Sequence, residues 1–161
     1  MGGARRRVPT TDGRTDRGET MAVVVRGVGA GPFSTEIEAG RHRFAADEPV
    51  EDGGEDTGPS PYDLLLAALG SCTAMTLRLY ARRRGYPLED VAVQLEHDRI
   101  YAEDCATCDT QTGRLTRVRR EIILTGDLSD EQSADLLRVA ERCPVHRTFA
   151  TEMVIETDLR L

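Results

Sequence analysis

The stretch Gly58 to Gly85, GPSPYDLLLAALGSCTAMTLRLYARRRG, constrains this chain more than any other. Pro59 and Pro61 suit a helix entry, where a missing N–H costs nothing, and Ser60 suits the N-cap before Pro61 at the first helical position. Leu65, Ala68, Leu69, Cys72, Met75, Thr76 and Leu79 recur at the spacing of one helical face. Leu64, Leu66, Ala67 and Leu77 widen that face nearly all round, which predicts a helix buried on most sides. Arg82, Arg83 and Arg84 complement the negative end of its dipole, Gly85 suits the left-handed cap, and Pro87 forbids continuation. In its middle lies Cys72, either a small core residue or a reactive centre that other elements enclose and charge.

A length of 161 residues fits one domain with a core of its own. With no Trp and only 4% aromatic residues, that core must be aliphatic. The net charge of -7 argues against a general nucleic-acid binder, which needs a basic face against phosphates. All 21 basic residues are Arg, so a Schiff-base lysine mechanism is excluded. Residues 1–20 hold no apolar run of the signal-peptide kind, and no later segment reads as both long and uncharged enough to span a bilayer. The expectation is a cytoplasmic protein, where its four cysteines, Cys72, Cys105, Cys108 and Cys143, serve catalysis or metal binding, or are inert.

Residues 1–20 read as a disordered tail, with Met21 a candidate start, and 21–161 as a single domain. Val23, Val24 and Val25 open a β-branched strand; Thr35 to Ala39 and Arg41 to Ala46 follow as two more, hinged at Gly40. Asp47 to Gly58 is an acidic, glycine-rich loop leading to the helix. Beyond it, Asp90 to about Ala102 and Arg114 to Thr125 read as a long antiparallel hairpin, with Ile100 out of phase and suggesting a bulge. Ser129 and Gln132 form a capping box for a second helix whose apolar face is Leu136, Leu137, Val139 and Ala140. Cys143 is placed in its last turn because Pro144 follows, and Thr151 to Leu161 reads as a closing strand. The fold class is α+β, helices packed on antiparallel sheet, without a P-loop or dinucleotide signature.

Cys72 lies about three turns inside its helix, beyond the reach of the N-terminal dipole, so a cation must come from elsewhere if it is reactive. Arg26, Arg41 and Arg43 lie on the preceding strands, and an arginine brought against the helix would favour a thiolate. Cys143, beside the other helix end, can pair with Cys72 if their Cα atoms come within about 7 Å; the alternative is two independent core cysteines.

The segments SPYDLLLAALGSCTAMT around Cys72 and ERCPVHRTF around Cys143 resemble the two signature segments of the OsmC/Ohr family of osmotically inducible and organic-hydroperoxide-resistance proteins. With GRHRFAADEP, the likeness runs from about Thr35 to Leu161 and is greatest to the OsmC-like branch. The resemblance implies an intertwined homodimer with two long central helices flanked by antiparallel sheets. It implies that Cys72 is the peroxidatic cysteine, forming a sulfenic acid on an organic hydroperoxide, and Cys143 the resolving cysteine that condenses with it to a disulfide. An external dithiol, dihydrolipoyl or of thioredoxin type, then reduces that disulfide; neither metal nor bound cofactor is required. An apolar pocket around Cys72 would favour alkyl hydroperoxides. In this family an arginine held over the thiolate is oriented by a glutamate ten residues before the cysteine, where this chain has Tyr62 and then Asp63. Nine residues at 100° each put Asp63 opposite Cys72 on a straight helix, with Tyr62 about 80° away. Arg41 belongs to the branch's motif and is matched to the arginine, Arg26 and Arg43 being alternatives, with Asp63 as its orienting partner.

Cys105-x-x-Cys108 is half a zinc site, needing His97 or a partner chain to complete it; the other reading is exposed thiols in a hairpin loop. His146, three after Cys143, suits a proton carrier or a cap on helix carbonyls, and His42 has only proximity to recommend it. The function expected is a thiol-dependent peroxidase of organic hydroperoxides without nucleic-acid or membrane partners. The rivals are a non-catalytic protein of the same fold holding a hydrophobic small molecule, and a redox sensor.

Overall fold

The computed structural model of the protein describes residues 22–105 and 112–160; the expected tail at 1–20, Met21 and Cys108 lie outside the described residues. Contacts divide the chain into two compact units, Met1–Pro61 and Tyr62–Leu161.

The first unit is a three-stranded antiparallel sheet of Val23–Gly27 (β1), Thr35–Ala39 (β2) and His42–Ala46 (β3), in that order. Its register sets Ile37 opposite Val25 on one side and Phe44 on the other. Gly40, at φ +60, turns β2 into β3, a left-handed conformation that glycine adopts without strain. Arg41 falls in that turn, so β3 begins one residue later than expected. The loop after β3, which includes a single 3-10 turn at Val50–Asp52, folds around the buried Asp47.

In the second unit the helix Pro61–Arg84 (α1) spans the expected 24 residues, and Gly85 at φ +68 follows it. Leu88–Tyr101 (β4) and Arg114–Gly126 (β5) form the hairpin, and Asp130–Ala140 (α2) begins at the capping box of Ser129 and Gln132. Leu77 and Ala81 of α1 meet Leu136, Val139 and Ala140 of α2 in the core, with Val91, Ile122 and Leu124 of the hairpin packed against them.

Several expectations are corrected. The buried stripe of α1 is Leu66, Leu69, Gly70, Thr73, Leu77 and Ala81, whereas Leu65, Met75 and Leu79 are exposed. The chain therefore covers one face of α1 rather than most sides. A helix apolar nearly all round has no moment to reveal its phase. On α2, Leu137 faces solvent. The hairpin's irregularity lies between Leu88 and Asp90; Ile100 is in register opposite Leu115. Cys143 is not in the last turn of α2. It is the N-cap of a further short helix, Pro144–Phe149 (α3), because proline at a first helical position starts a helix as readily as it ends one. Residues 151–160 form no strand and are exposed. Finally, α1 is by length and composition able to cross a membrane, contrary to the sequence expectation, although Leu77 and Thr73 pack it into the core of this unit.

Candidate functional site

Two elements bring the thiols together. The middle of α1 presents Cys72 and Thr73 to the junction of α2 and α3, where Cys143 sits as N-cap. Thr73 and Cys143 are both 0% exposed, while Cys72 is half-buried. Cys72 lies close enough to Cys143 to favour that cysteine's thiolate, and both cysteines are free thiols. Such proximity across two helices is what a disulfide couple needs.

The Cys143 sulfur accepts from the His146 amide at 3.3 Å and lies 3.7 Å from the Thr73 hydroxyl. Burial by itself pushes this thiol up, but the His146 amide, the Cys72 thiol, the Thr73 hydroxyl and the Val145 amide favour the thiolate and hold it below the ordinary thiol value. His146 thus acts here through its backbone N–H. Cys143, expected in the last turn of the second helix, is fully buried in the core.

Arg120 of β5 completes the group. Its Nη1 donates to Thr73 Oγ1 at 3.0 Å and to the Ala140 carbonyl at 3.4 Å. Sequence reasoning missed it, although a signal was there: Arg120 shares the two-residue phase of Val118, Ile122 and Leu124, the inward row of β5. A cation in that row is an anomaly that calls for a partner.

The other candidates divide between the units. Arg26 and Arg43 both pair with Glu38, at 3.5 and 3.4 Å, across the sheet of the first unit. Arg41, in the exposed turn, forms no ion pair among the described residues, and His42 is exposed beside it. In the second unit the Tyr62 ring stacks on His97 of β4, centroids 4.5 Å apart and planes 16° from parallel. Asp63 lines a groove of about 410 Å3 between α1 and β4, with Leu66, Gly70, Ser71, Val93 and Leu95. Cys72 does not line this groove, which is therefore a separate feature from the apolar pocket expected around that cysteine. Cys105 is disulfide-bonded rather than an exposed free thiol. Among the described residues no cluster of three or more His, Cys, Asp or Glu side chains is placed to hold a metal.

A helix-borne cysteine paired with a buried second cysteine, on helices packed against antiparallel strands, defines a thiol-bearing α+β protein. Residues 53–158 match the family described as OsmC-like protein, and the chain belongs to it. The resemblance read from the two cysteine segments is thereby confirmed. Solved structures with the same fold include an OsmC-like protein of Mycoplasma pneumoniae (18% identity, 83% of this chain and 89% of that one, TM-score 0.64). A putative osmotic stress induced and detoxification response protein of Psychrobacter arcticus is similar too (21% identity, 83% and 90%, TM-score 0.62). So is an organic hydroperoxide resistance protein of Legionella pneumophila (24% identity, 80% and 88%, TM-score 0.57). In sequence, the chain is 27% identical over 104 residues to an uncharacterized protein of Haloferax volcanii, covering 63% of this chain and 71% of that one.

Proposed function

We propose that this protein is a cytoplasmic, homodimeric, thiol-dependent peroxidase that reduces organic hydroperoxides to alcohols in oxidative-stress defence. The observation that carries the reading is the juxtaposition of a half-buried Cys72 with a fully buried Cys143, whose sulfur lies 3.7 Å from the hydroxyl of Thr73, the residue next to Cys72. The Cys72 thiolate attacks the terminal oxygen of the hydroperoxide; the O–O bond breaks, the departing alkoxide takes a proton to become the alcohol, and Cys72 is left as a sulfenic acid. The Cys143 thiolate then attacks the Cys72 sulfur, hydroxide leaves and is protonated to water, and a Cys72–Cys143 disulfide forms. An external dithiol of dihydrolipoyl or thioredoxin type returns both cysteines to thiols, with no bound cofactor. Arg26 and Arg43 are committed to Glu38, which favours Arg41 as the arginine that serves the Cys72 thiolate, with Asp63 as its orienting partner.

The test is hydroperoxide consumption by the reduced protein, with cumene hydroperoxide as substrate and dihydrolipoamide and thioredoxin compared as donors. Cys72→Ser should abolish consumption, and Cys143→Ser should still oxidise but stop at a sulfenic acid that dimedone captures. Oxidation of Cys72 no faster than that of free cysteine would sink the proposal. The groove between α1 and β4 favours a second reading, a binding protein for an apolar small molecule, because its Leu66, Val93 and Leu95 walls are independent of Cys72. Saturable binding of a fluorescent fatty acid, unchanged in Cys72→Ser and lost in Leu95→Asp, would support that reading.

A further inference from the structure

A half-buried guanidinium is costly to hold without an anion. Arg120 donates to two neutral acceptors, Thr73 Oγ1 and the Ala140 carbonyl, and no carboxylate pairs with it among the described residues. One hydroxyl further on lies a group that can become an anion, the Cys143 sulfur, 3.7 Å from Thr73 Oγ1. The Thr73 hydroxyl has a single proton and two acceptors for it, the Leu69 carbonyl at 2.8 Å and that sulfur. Arg120 occupies a lone pair of the same oxygen, so only the direction of the proton remains open. While Cys143 is a neutral thiol, the nearer carbonyl holds the proton. Once the sulfur is charged, a charge-assisted bond turns the hydroxyl toward it and completes a chain from guanidinium to thiolate.

We propose that Arg120, acting through the Thr73 hydroxyl, stabilises the Cys143 thiolate and so makes Cys143 the leaving sulfur when a thiol reductant opens a Cys72–Cys143 disulfide. Only the existence of that disulfide rests on the peroxidase reading. Exposure points the same way, since Cys72 is half-buried and Cys143 fully buried, so a reductant reaches Cys72. One thiolate of the external dithiol attacks the Cys72 sulfur; the S–S bond breaks, and its electron pair departs on Cys143. A mixed disulfide remains on Cys72. The second thiolate of the dithiol attacks its own first sulfur, releasing Cys72 as a thiolate and leaving the dithiol oxidised to its disulfide. A leaving thiol with a greater tendency to ionise leaves faster. Arg120 touches neither sulfur and is a positioning residue. The other ionisable groups near Cys143 are Cys72 on α1, the half-buried His146 on α3, and the exposed Glu141, Arg142 and Arg147. Of these groups and Arg120, only Arg120 hydrogen-bonds to Thr73.

The test reads Cys143 alone, by peptide mass spectrometry of iodoacetamide alkylation against pH, in the reduced full chain carrying Cys72→Ser. Arg120→Gln and Thr73→Val should each raise the midpoint by about one pH unit, a roughly tenfold slower reaction below it. Arg120→Lys and Thr73→Ser, which restore charge and hydroxyl, should recover most of the shift. A purely structural Arg120 would lower the melting temperature and leave the midpoint where it was; an unmoved midpoint in both Arg120→Gln and Thr73→Val overturns the relay. In otherwise unaltered protein oxidised with diamide, a limiting monothiol should be captured as an adduct on Cys72; an adduct on Cys143 overturns its assignment as leaving sulfur. Both measurements are independent of hydroperoxide, so a shifted midpoint in a protein that consumes none supports the relay while the peroxidase reading fails.

Discussion

Both oxygens of the Asp47 carboxylate are occupied. Oδ1 accepts from the Glu48 amide at 2.9 Å, and Oδ2 from the Ser34 and Thr57 hydroxyls at 3.0 and 2.8 Å and from the amides of Glu55 and Thr57. Burial works to raise this carboxyl, but the hydrogen bonds outweigh it and hold it below the usual carboxylate value. A folded-state value below the unfolded one means stability that is fully present above about pH 3.9 and is lost as the pH falls through the folded value. Asp47→Asn replaces an acceptor with an amide that offers donors to donors. Urea melts should show the variant well below wild type at pH 7, with the gap narrowing at pH 3; an equal gap at both would show that charge at Asp47 is immaterial. The sequence placed Asp47 only in an acidic loop, because its donors come from β2's approach at Ser34 and from residues eight and ten positions on. Thr73 was hidden for a similar reason. It was one small polar residue beside a conspicuous cysteine, and only Arg120, 47 residues away, gives it meaning.

At the scale of elements, the ends of α1 and the start of α2 were legible because caps are local chemistry: Pro61, Gly85, and the reciprocal bonds of Ser129 and Gln132 involve neighbours in sequence. The phase of α1 was not, since Leu, Ala and Met surround it and the choice of buried face belongs to the hairpin and α2 that pack on it. The hairpin has a tight point at its open end. Gly126 has φ +142, and a Cβ there would collide with the Pro87 carbonyl oxygen, where the strands begin their irregular register. Gly126→Ala should cost about 1–3 kcal/mol, the scale of a residue held in a glycine-only conformation. Chemical denaturation would check this, and a loss under about 0.5 kcal/mol, that of an ordinary surface substitution, would mean that the backbone relaxes freely. The short α3 escaped the sequence reading because Cys-Pro carries one local signal with two meanings, a stop for one helix and a first turn for another.

At the scale of the whole molecule, large apolar side chains remain uncovered by the chain itself. Met75 on α1 is 70% exposed, and Ile155 in the final segment is 80% exposed. The proposed homodimer would bury such surface. Light scattering should then give twice the monomer mass, with Met75→Asp raising the dissociation constant at least about tenfold, since burying such a side chain is worth about 1.5–3 kcal/mol. An unchanged dimer in Met75→Asp and after truncation at Ala150 would remove both surfaces from the interface. The final segment shows why its strand was expected and is not formed: alternation at Met153, Ile155, Thr157 and Leu159 records a preference for a pleated edge, but a strand exists only where backbone partners are supplied. What the sequence determined by itself was local or compositional: the α+β class, the span of α1, the hairpin, the capping box, and the two cysteine segments that mark the OsmC-like family. Tertiary structure alone decided which face of α1 is buried, that Cys143 is fully buried, and that Arg120 is linked to the Cys143 sulfur through Thr73. The physical reason is range. Caps and periodicity act within a few residues, whereas burial and the electrostatics of a thiol depend on groups that only the packed chain brings within hydrogen-bond distance.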